Sequence, residues 1–363
     1  MHPSYEALTN KIVDAIYNDK ERPIIVVIGP PGIGKTSLLA CVMDRIITLE
    51  RSRMEAEREY IPVTGIRTPS PEVRVYPWKD LYHSVLYSLY DPAARSGIHC
   101  RDYTKKQTQR ELGFEFPTEK YLGQGTKGSL YRHMLRSIEH RKPLAVCMDE
   151  AHHLVYSGSH DDGGQVDKGG KLKLLANHIK SMADEIHGAK LVLFGTYDLW
   201  SLIEQTTQGI RRTRIFEFSR YDFPDATDPT DPFIIALLSL CESLEDHLAF
   251  DPAKHYEELY KGCLGCIGLL KSWFERALTE ANGDKISLDL MRAEQTPNYH
   301  LELGMNEILD GEAHFEGMHK PSDKSLWEEF APQTSQAPKE KRKNPNAFKA
   351  NPRVFKRGGR NEQ

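Results

Sequence analysis

The sequence lacks what a membrane-spanning or secreted chain needs. Across 363 residues, no apolar run approaches the roughly 18–20 residues that a bilayer crossing requires. The opening stretch MHPSYEALTNKIVDAIY mixes acidic and polar residues into a helical pattern and does not read as a secretory leader. Cysteine is scarce as well. Cys41, Cys100, Cys147, Cys241, Cys263 and Cys266 are scattered, and Cys41 and Cys147 lie inside apolar runs. That usage suits reduced, mostly buried thiols and a cytoplasmic location rather than a disulfide scaffold. Metal signals are thin too. Cys263-x-x-Cys266 has no second ligand pair for zinc, and His152 and His153 are adjacent instead of four residues apart.

What is there is the composition of a globular protein, with 39% hydrophobic and 28% charged residues. The length allows one large domain or two ordinary ones. The net charge of −4 conceals a split. Residues 331–363 hold nine Lys or Arg against Glu340 and Glu362, about +7, which leaves about −11 on the rest. An acidic body with a basic tail points to a polyanionic or acidic partner for the tail.

Periodicity places a helix over residues 4–17, then the apolar strand IIVVI at 24–28, a Gly/Pro turn and a second helix. Further strands are expected at 60–66, 144–150, 189–196 and 215–219, with helical stretches between most of them. Unbroken apolar runs alternating with helices predict an α/β fold, a parallel sheet covered on both faces. From about residue 232 the pattern is helical only, which predicts a small helical lid over 232–282. Residues 283–330 form a C-terminal extension of mixed polarity. Residues 331–363 carry few large apolar groups and read as a disordered basic tail.

The turn after the first strand is Gly29-Pro30-Pro31-Gly32-Ile33-Gly34-Lys35-Thr36, which matches G-x-x-x-x-G-K-[ST] between a strand and a helix. Its glycines let successive N–H groups face the phosphates of a nucleotide, and the helix N-terminus adds its dipole. Lys35 supplies a positive charge, Thr36 a hydroxyl for Mg²⁺, and Ser37 follows in the first helical turn. The expected ligands are ATP and Mg²⁺.

The run LAVCMDEAHHL at 144–154 resembles the DEAH string of a helicase. At the end of an apolar strand beside a phosphate loop, however, Asp149 is expected in the Mg²⁺ shell. Glu150, one residue on, is placed to polarise the attacking water. A helicase needs two sheet domains, and only one clear sheet precedes the lid, so Ala151 and His152 read as incidental to the motif.

GPPGIGKT, LAVCMDEAHHL, LVLFGTYDL, RRTRIFEF and GCIGLLKSWFERAL, in this order over roughly residues 5–280, resemble the TnsC/TniB-type AAA+ ATPases. These regulate DNA transposition in Tn-seven-like and CRISPR-associated transposons. The resemblance implies an AAA+ domain over 1–231, with Thr196 touching the γ-phosphate and the attacking water. It implies that Lys271 acts as the lid's second sensor, although the family residue there is often Arg. For Arg211, Arg212 and Arg214 two readings stand: an arginine finger donated to a neighbour's nucleotide, or a solvated strand edge. The resemblance further implies a ring or helical homo-oligomer that wraps double-stranded DNA and connects a target-selector protein to the transposase, with hydrolysis disassembling it.

Lys35 and Asp149 are 114 residues apart, longer than a minimal core needs, and the extra length is placed at about 91–128. Lys105, Lys106, Arg110 and Lys127 there either contact DNA phosphates or decorate a solvated loop. In the tail, NPNAFK at 344–349 and NPRVFK at 351–356 repeat one aromatic beside one base. They read as a docking motif for a partner protein such as the transposase, or as a source of nonspecific attraction to DNA. A helicase-loader or origin-recognition ATPase shares the core and lid and is the alternative function. No membrane partner is expected.

Overall fold

Five consecutive β-branched residues, Ile24–Ile28, make a strand in which every side chain is buried. Such a run suits the middle of a sheet covered on both sides. The computed structural model describes residues 3–71, 76–90, 126–156, 168–186, 188–205, 211–225, 228 and 230–319. The chain divides into two units, Met1–Gly317 and Met318–Gln363, and the described residues fall almost entirely in the first.

The elements of the nucleotide-binding half are α1 (Pro3–Asn18), β1 (Ile24–Ile28), α2 (Lys35–Leu49), α3 (Arg51–Ala56), β2 (Val63–Arg67), α4 (Trp78–Tyr90), α5 (Lys127–Arg141), β3 (Ala145–Asp149), α6 (His153–Tyr156), α7 (Lys168–Glu185), β4 (Lys190–Gly195), α8 (Trp200–Ile203) and β5 (Thr213–Glu217). The strands form one parallel sheet in the order β2-β3-β4-β1-β5. Alternate residues of each strand feed opposite layers. Ile25 and Val27 join Ile12, Leu38, Val42 and Ile46 from α1 and α2, while Val26 and Ile28 join Leu81, Met134 and Ile179 from α4, α5 and α7. The expected α/β class is therefore the observed one.

Some boundaries shift for local reasons. The strand expected over 60–66 runs over Val63–Arg67, because Pro62 has no N–H to give to a ladder. The strand expected over 215–219 starts earlier, at Thr213, because its register follows β1, pairing Thr213 with Ile24 and Glu217 with Ile28. Of the segment placed at about 91–128, residues 91–125 lie outside the described residues. Thr126 caps α5 by accepting from the Ser129 N–H at 3.2 Å, so Lys127 and Gly128 are already helical.

Where the sequence places a lid, the chain forms α9 (Pro232–Glu242), α10 (Tyr256–Cys263), α11 (Ile267–Ala281) and α12 (Leu288–Ala293). Asp231 opens α9, accepting from the N–H groups of Phe233 and Ile234, with Pro232 at the first helical position. The lid core of Phe233, Leu237, Leu259, Leu270, Trp273 and Phe274 also takes in Ile286 and Met291. The Trp273 indole N–H donates to the Met291 carbonyl at 2.6 Å. Lid packing thus continues past residue 282. Among the described residues there is a single sheet, without the second sheet domain of a DEAH-box helicase.

Residues 298–319, part of the extension of mixed polarity, form one long helix, α13 (Asn298–His319). It returns to the sheet domain. Ile308 is 1% exposed in the same core cluster as Ile33 and Phe218. Arg220 and Glu312 pair at 2.8 Å, His314 meets Glu204 at 2.6 Å, and Phe315 packs near Trp200.

Candidate nucleotide site

The loop between β1 and α2 is held from two sides. Gly34, the residue before α2, sits at φ 107°, a conformation that costs a side-chain-bearing residue dearly. Space forbids a side chain there as well, since a Cβ would lie 1.9 Å from the Tyr5 hydroxyl. Tyr5 donates instead to the Ile33 carbonyl at 3.1 Å and rests edge-on against Phe218, fastening the loop to α1. From the lid, the Gly268 N–H donates to the Gly32 carbonyl at 2.8 Å. A Cβ on Gly268 would fall 2.3 Å from that same oxygen, so the G-x-I-G of the lid is a close-approach glycine.

Lys35 is 8% exposed, and its Nζ donates to the carbonyls of Gly29 at 2.9 Å and Pro30 at 2.7 Å. Burial lowers its pKa to about 8, against the pull of Glu150, Cys266, Asp149 and Glu307 in that order. The Thr36 hydroxyl donates to Asp149 Oδ2 at 2.7 Å, and Asp149 Oδ1 accepts from the Glu150 N–H at 2.9 Å. Hydroxyl and carboxylate thus face each other as two hard oxygen donors, the set a small divalent cation such as Mg²⁺ takes. Pro31 and Ser37 lie exposed beside them, while Gly29 and Pro30 are buried.

Glu150 has φ 52°, a left-handed backbone that turns it out of line with Asp149. The Ala151 N–H donates to the Phe194 carbonyl at 2.7 Å, clamping this turn against β4. His152 Nδ1 lies 3.4 Å from Glu150 Oε2, and burial pushes the His152 pKa down, favouring neutral imidazole beside the carboxylate. Thr196, just beyond β4, is buried and donates to Asp198 Oδ2 at 2.7 Å.

A family model described as an AAA domain matches residues 18–203, slightly more than half of the chain. The chain belongs to this family and is an AAA+ ATPase. No curated protein matches its sequence significantly. Similar solved structures include the Walker-type ATPase PABY2304 of Pyrococcus abyssi, at 16% identity and a TM-score of 0.47, covering 87% of this chain and 76% of that one. The ORC2 protein of Aeropyrum pernix, in ADPNP–ADP complexes, is 14% identical with a TM-score of 0.45, covering 82% and 69%. A RuvB point mutant of Thermotoga maritima is 14% identical with a TM-score of 0.37, covering 80% and 67%.

In this AAA+ ATPase the phosphate-loop residues, Asp149 and Glu150 gather at the C-terminal ends of β1 and β3, and Thr196 follows β4. The arginines do not join them. Arg212 Nη1 donates to both carboxylate oxygens of Asp184, at 2.5 and 2.6 Å, and Arg214 reaches Asp19 at 3.4 Å and lies 5.2 Å from the Phe216 ring. Arg211 and Arg212 precede β5, whose start pairs with the start of β1, so they lie at the sheet end opposite the phosphate loop. Lys271 is exposed and pairs with Glu275 at 3.7 Å; the lid residues against the loop are Gly268 and Leu269. Lys127 stands 5.1 Å from the centre of the Trp78 ring, whereas Lys105, Lys106 and Arg110 lie outside the described residues. Among the described residues, no helix is long and apolar enough to cross a membrane.

One carboxylate near the site carries no motif. Although Glu307 of α13 keeps part of its surface in solvent, burial and Asp198 raise its pKa while Lys35 lowers it. A raised pKa means that the ionised form is disfavoured in the folded chain, so at neutral pH the charge is a cost. Glu307→Gln is expected to tighten ATP binding about two- to fivefold at neutral pH by removing a negative charge near the phosphates. In acid, where both side chains are uncharged, the difference should vanish. Titration with a fluorescent ATP analogue across that range checks the sign.

Proposed function

We propose that this AAA+ ATPase uses ATP binding to assemble a ring or helical homo-oligomer on double-stranded DNA. In that state it links a target-selector protein to the transposase, and ATP hydrolysis releases the assembly. The main support for the oligomer is where the arginines lie. A five-residue strand separates the start of β5 from the phosphate-loop end, a span of about 13 Å, so Arg211 and Arg212 are remote from their own loop. The base that meets the γ-phosphate then comes from the next copy. The exposed Arg212–Asp184 pair is a weak tie that such a contact can replace. The support for transposition is the order of five sequence motifs given above.

In this scheme Lys35 and the N–H groups of Gly32, Gly34, Lys35 and Thr36 hold the phosphates, and Thr36 and Asp149 would hold Mg²⁺, which would supply charge neutralisation there. Glu150 draws a proton from the attacking water, and Thr196 orients that water. Lys105, Lys106, Arg110 and Lys127 contribute DNA phosphate contacts, and the tail docks the transposase. Lys271 acts as a second sensor only if its side chain leaves Glu275.

Electron microscopy of the full chain with ATP and duplex DNA tests the proposal. Rings or filaments threaded by DNA are the expected result. Dispersed monomers under the same conditions would refute it.

A further inference from the structure

Asp198 gathers two hydroxyl groups on one oxygen. Its Oδ2 accepts from Thr196 Oγ1 at 2.7 Å and from the Tyr156 hydroxyl at 2.8 Å. The Asp198 carbonyl accepts from Ser201 Oγ at 2.7 Å, which fixes the turn that carries the carboxylate.

A threonine hydroxyl has one hydrogen to give and two lone pairs to offer. In this geometry the hydrogen is committed to Asp198. Thr196, which also meets the Tyr156 hydroxyl, therefore has no hydrogen left for a phosphate oxygen, and the capacity it keeps is a lone pair that can accept. The attacking water has two hydrogens, one of which goes to Glu150 in the proposed reaction. An acceptor for the other fixes the direction of the water's lone pair. Tyr156 ends α6, the short helix that follows Glu150, so the same carboxylate also ties the Glu150 segment to the loop bearing Thr196. No phosphate-loop or Asp-Glu motif marks Asp198.

We propose that Asp198 is a positioning residue: it turns Thr196 into a hydrogen-bond acceptor for the attacking water and holds that acceptor in register with Glu150. The inference rests on the assignment of Thr196 and Glu150 to water handling and adds the group that sets their geometry. It concerns the rate of hydrolysis and not the hold on ATP, because Asp198 makes its contacts with Thr196 and Tyr156 and not with the phosphate loop.

The test is a double-mutant cycle in the full chain, reading single-turnover hydrolysis of Mg·ATP and ATP affinity together. Asp198→Ala and Thr196→Val should each slow hydrolysis about tenfold to a hundredfold, the scale of a misplaced reacting group. ATP affinity should stay within about twofold of wild type, and the double variant should be no slower than Thr196→Val alone. Thr196→Ser, which keeps the hydroxyl, should stay close to the wild-type rate. A folded Asp198→Ala that has lost ATP binding overturns the inference. If Asp198→Ala fails to fold, Asp198→Asn takes its place in the cycle. It keeps an acceptor oxygen and should fall between wild type and Thr196→Val, with no added penalty in the Thr196→Val background. A penalty that persists in that background overturns the inference, as does a wild-type rate for Asp198→Ala. A wild-type rate for Thr196→Val instead overturns the underlying assignment of Thr196, which separates the two failures.

Discussion

Lys35→Ala is expected to weaken ATP binding at least a hundredfold, the largest expected effect on binding. The reason lies in where the ammonium sits. It is nearly sealed from solvent, it donates to the Gly29 and Pro30 carbonyls, and burial lowers its pKa to about 8. A cation kept at that cost gains more from a triphosphate than a solvated lysine would, because its own hydration has already been lost. Charge-assisted hydrogen bonds contribute about 1.5–3 kcal/mol each, and loss of one or two accounts for a hundredfold change, about 2.7 kcal/mol. Calorimetric titration with ATP provides the number. An affinity within threefold of wild type would mean that the phosphates lie elsewhere.

Glu150→Gln is expected to leave ATP binding intact and to cripple the chemistry. Glutamine keeps the volume and the left-handed backbone position of Glu150 but cannot take a proton from water. Hydrolysis should fall by about 10²- to 10⁴-fold, the usual contribution of a positioned general base. ATP affinity should hold, since Lys35, Thr36 and Asp149 are untouched. DNA-bound oligomers of this variant should outlive those of the wild type in proportion to the lost hydrolysis. The check is release of phosphate alongside dissociation of labelled duplex. Phosphate release at the wild-type rate would remove Glu150 from its proposed role.

The parts of the site that the sequence displays are those whose physics is local. Gly34 must adopt φ 107° within its own turn, and Asp149 and Glu150 must end a buried strand, so each leaves a mark that a short window contains. The return of α13 leaves only a partial one. Leu301, Met305, Ile308 and Phe315 recur at helical spacing. Between them Gly304 against Leu264 and Gly311 against the Tyr197 ring pack by backbone approach, so the stripe does not show which surface it meets. Arg212 pairs with Asp184 across 28 residues, and only the fold brings the two together. Asp198 was equally hidden, because an acid two residues past a threonine is common and its meaning depends on Tyr156, 42 residues earlier. Strand edges moved for similar reasons, with Pro62 and the register on β1 overriding the apolar pattern.

The most direct measurement is retention of labelled duplex DNA by the full wild-type chain with ATP, with ADP and with no nucleotide, at one fixed salt concentration. Strong, cooperative retention with ATP, and little with ADP or with nothing, is the expected result. Equal retention in all three states would contradict it, because charge on the triphosphate would then have no part in holding neighbouring copies together.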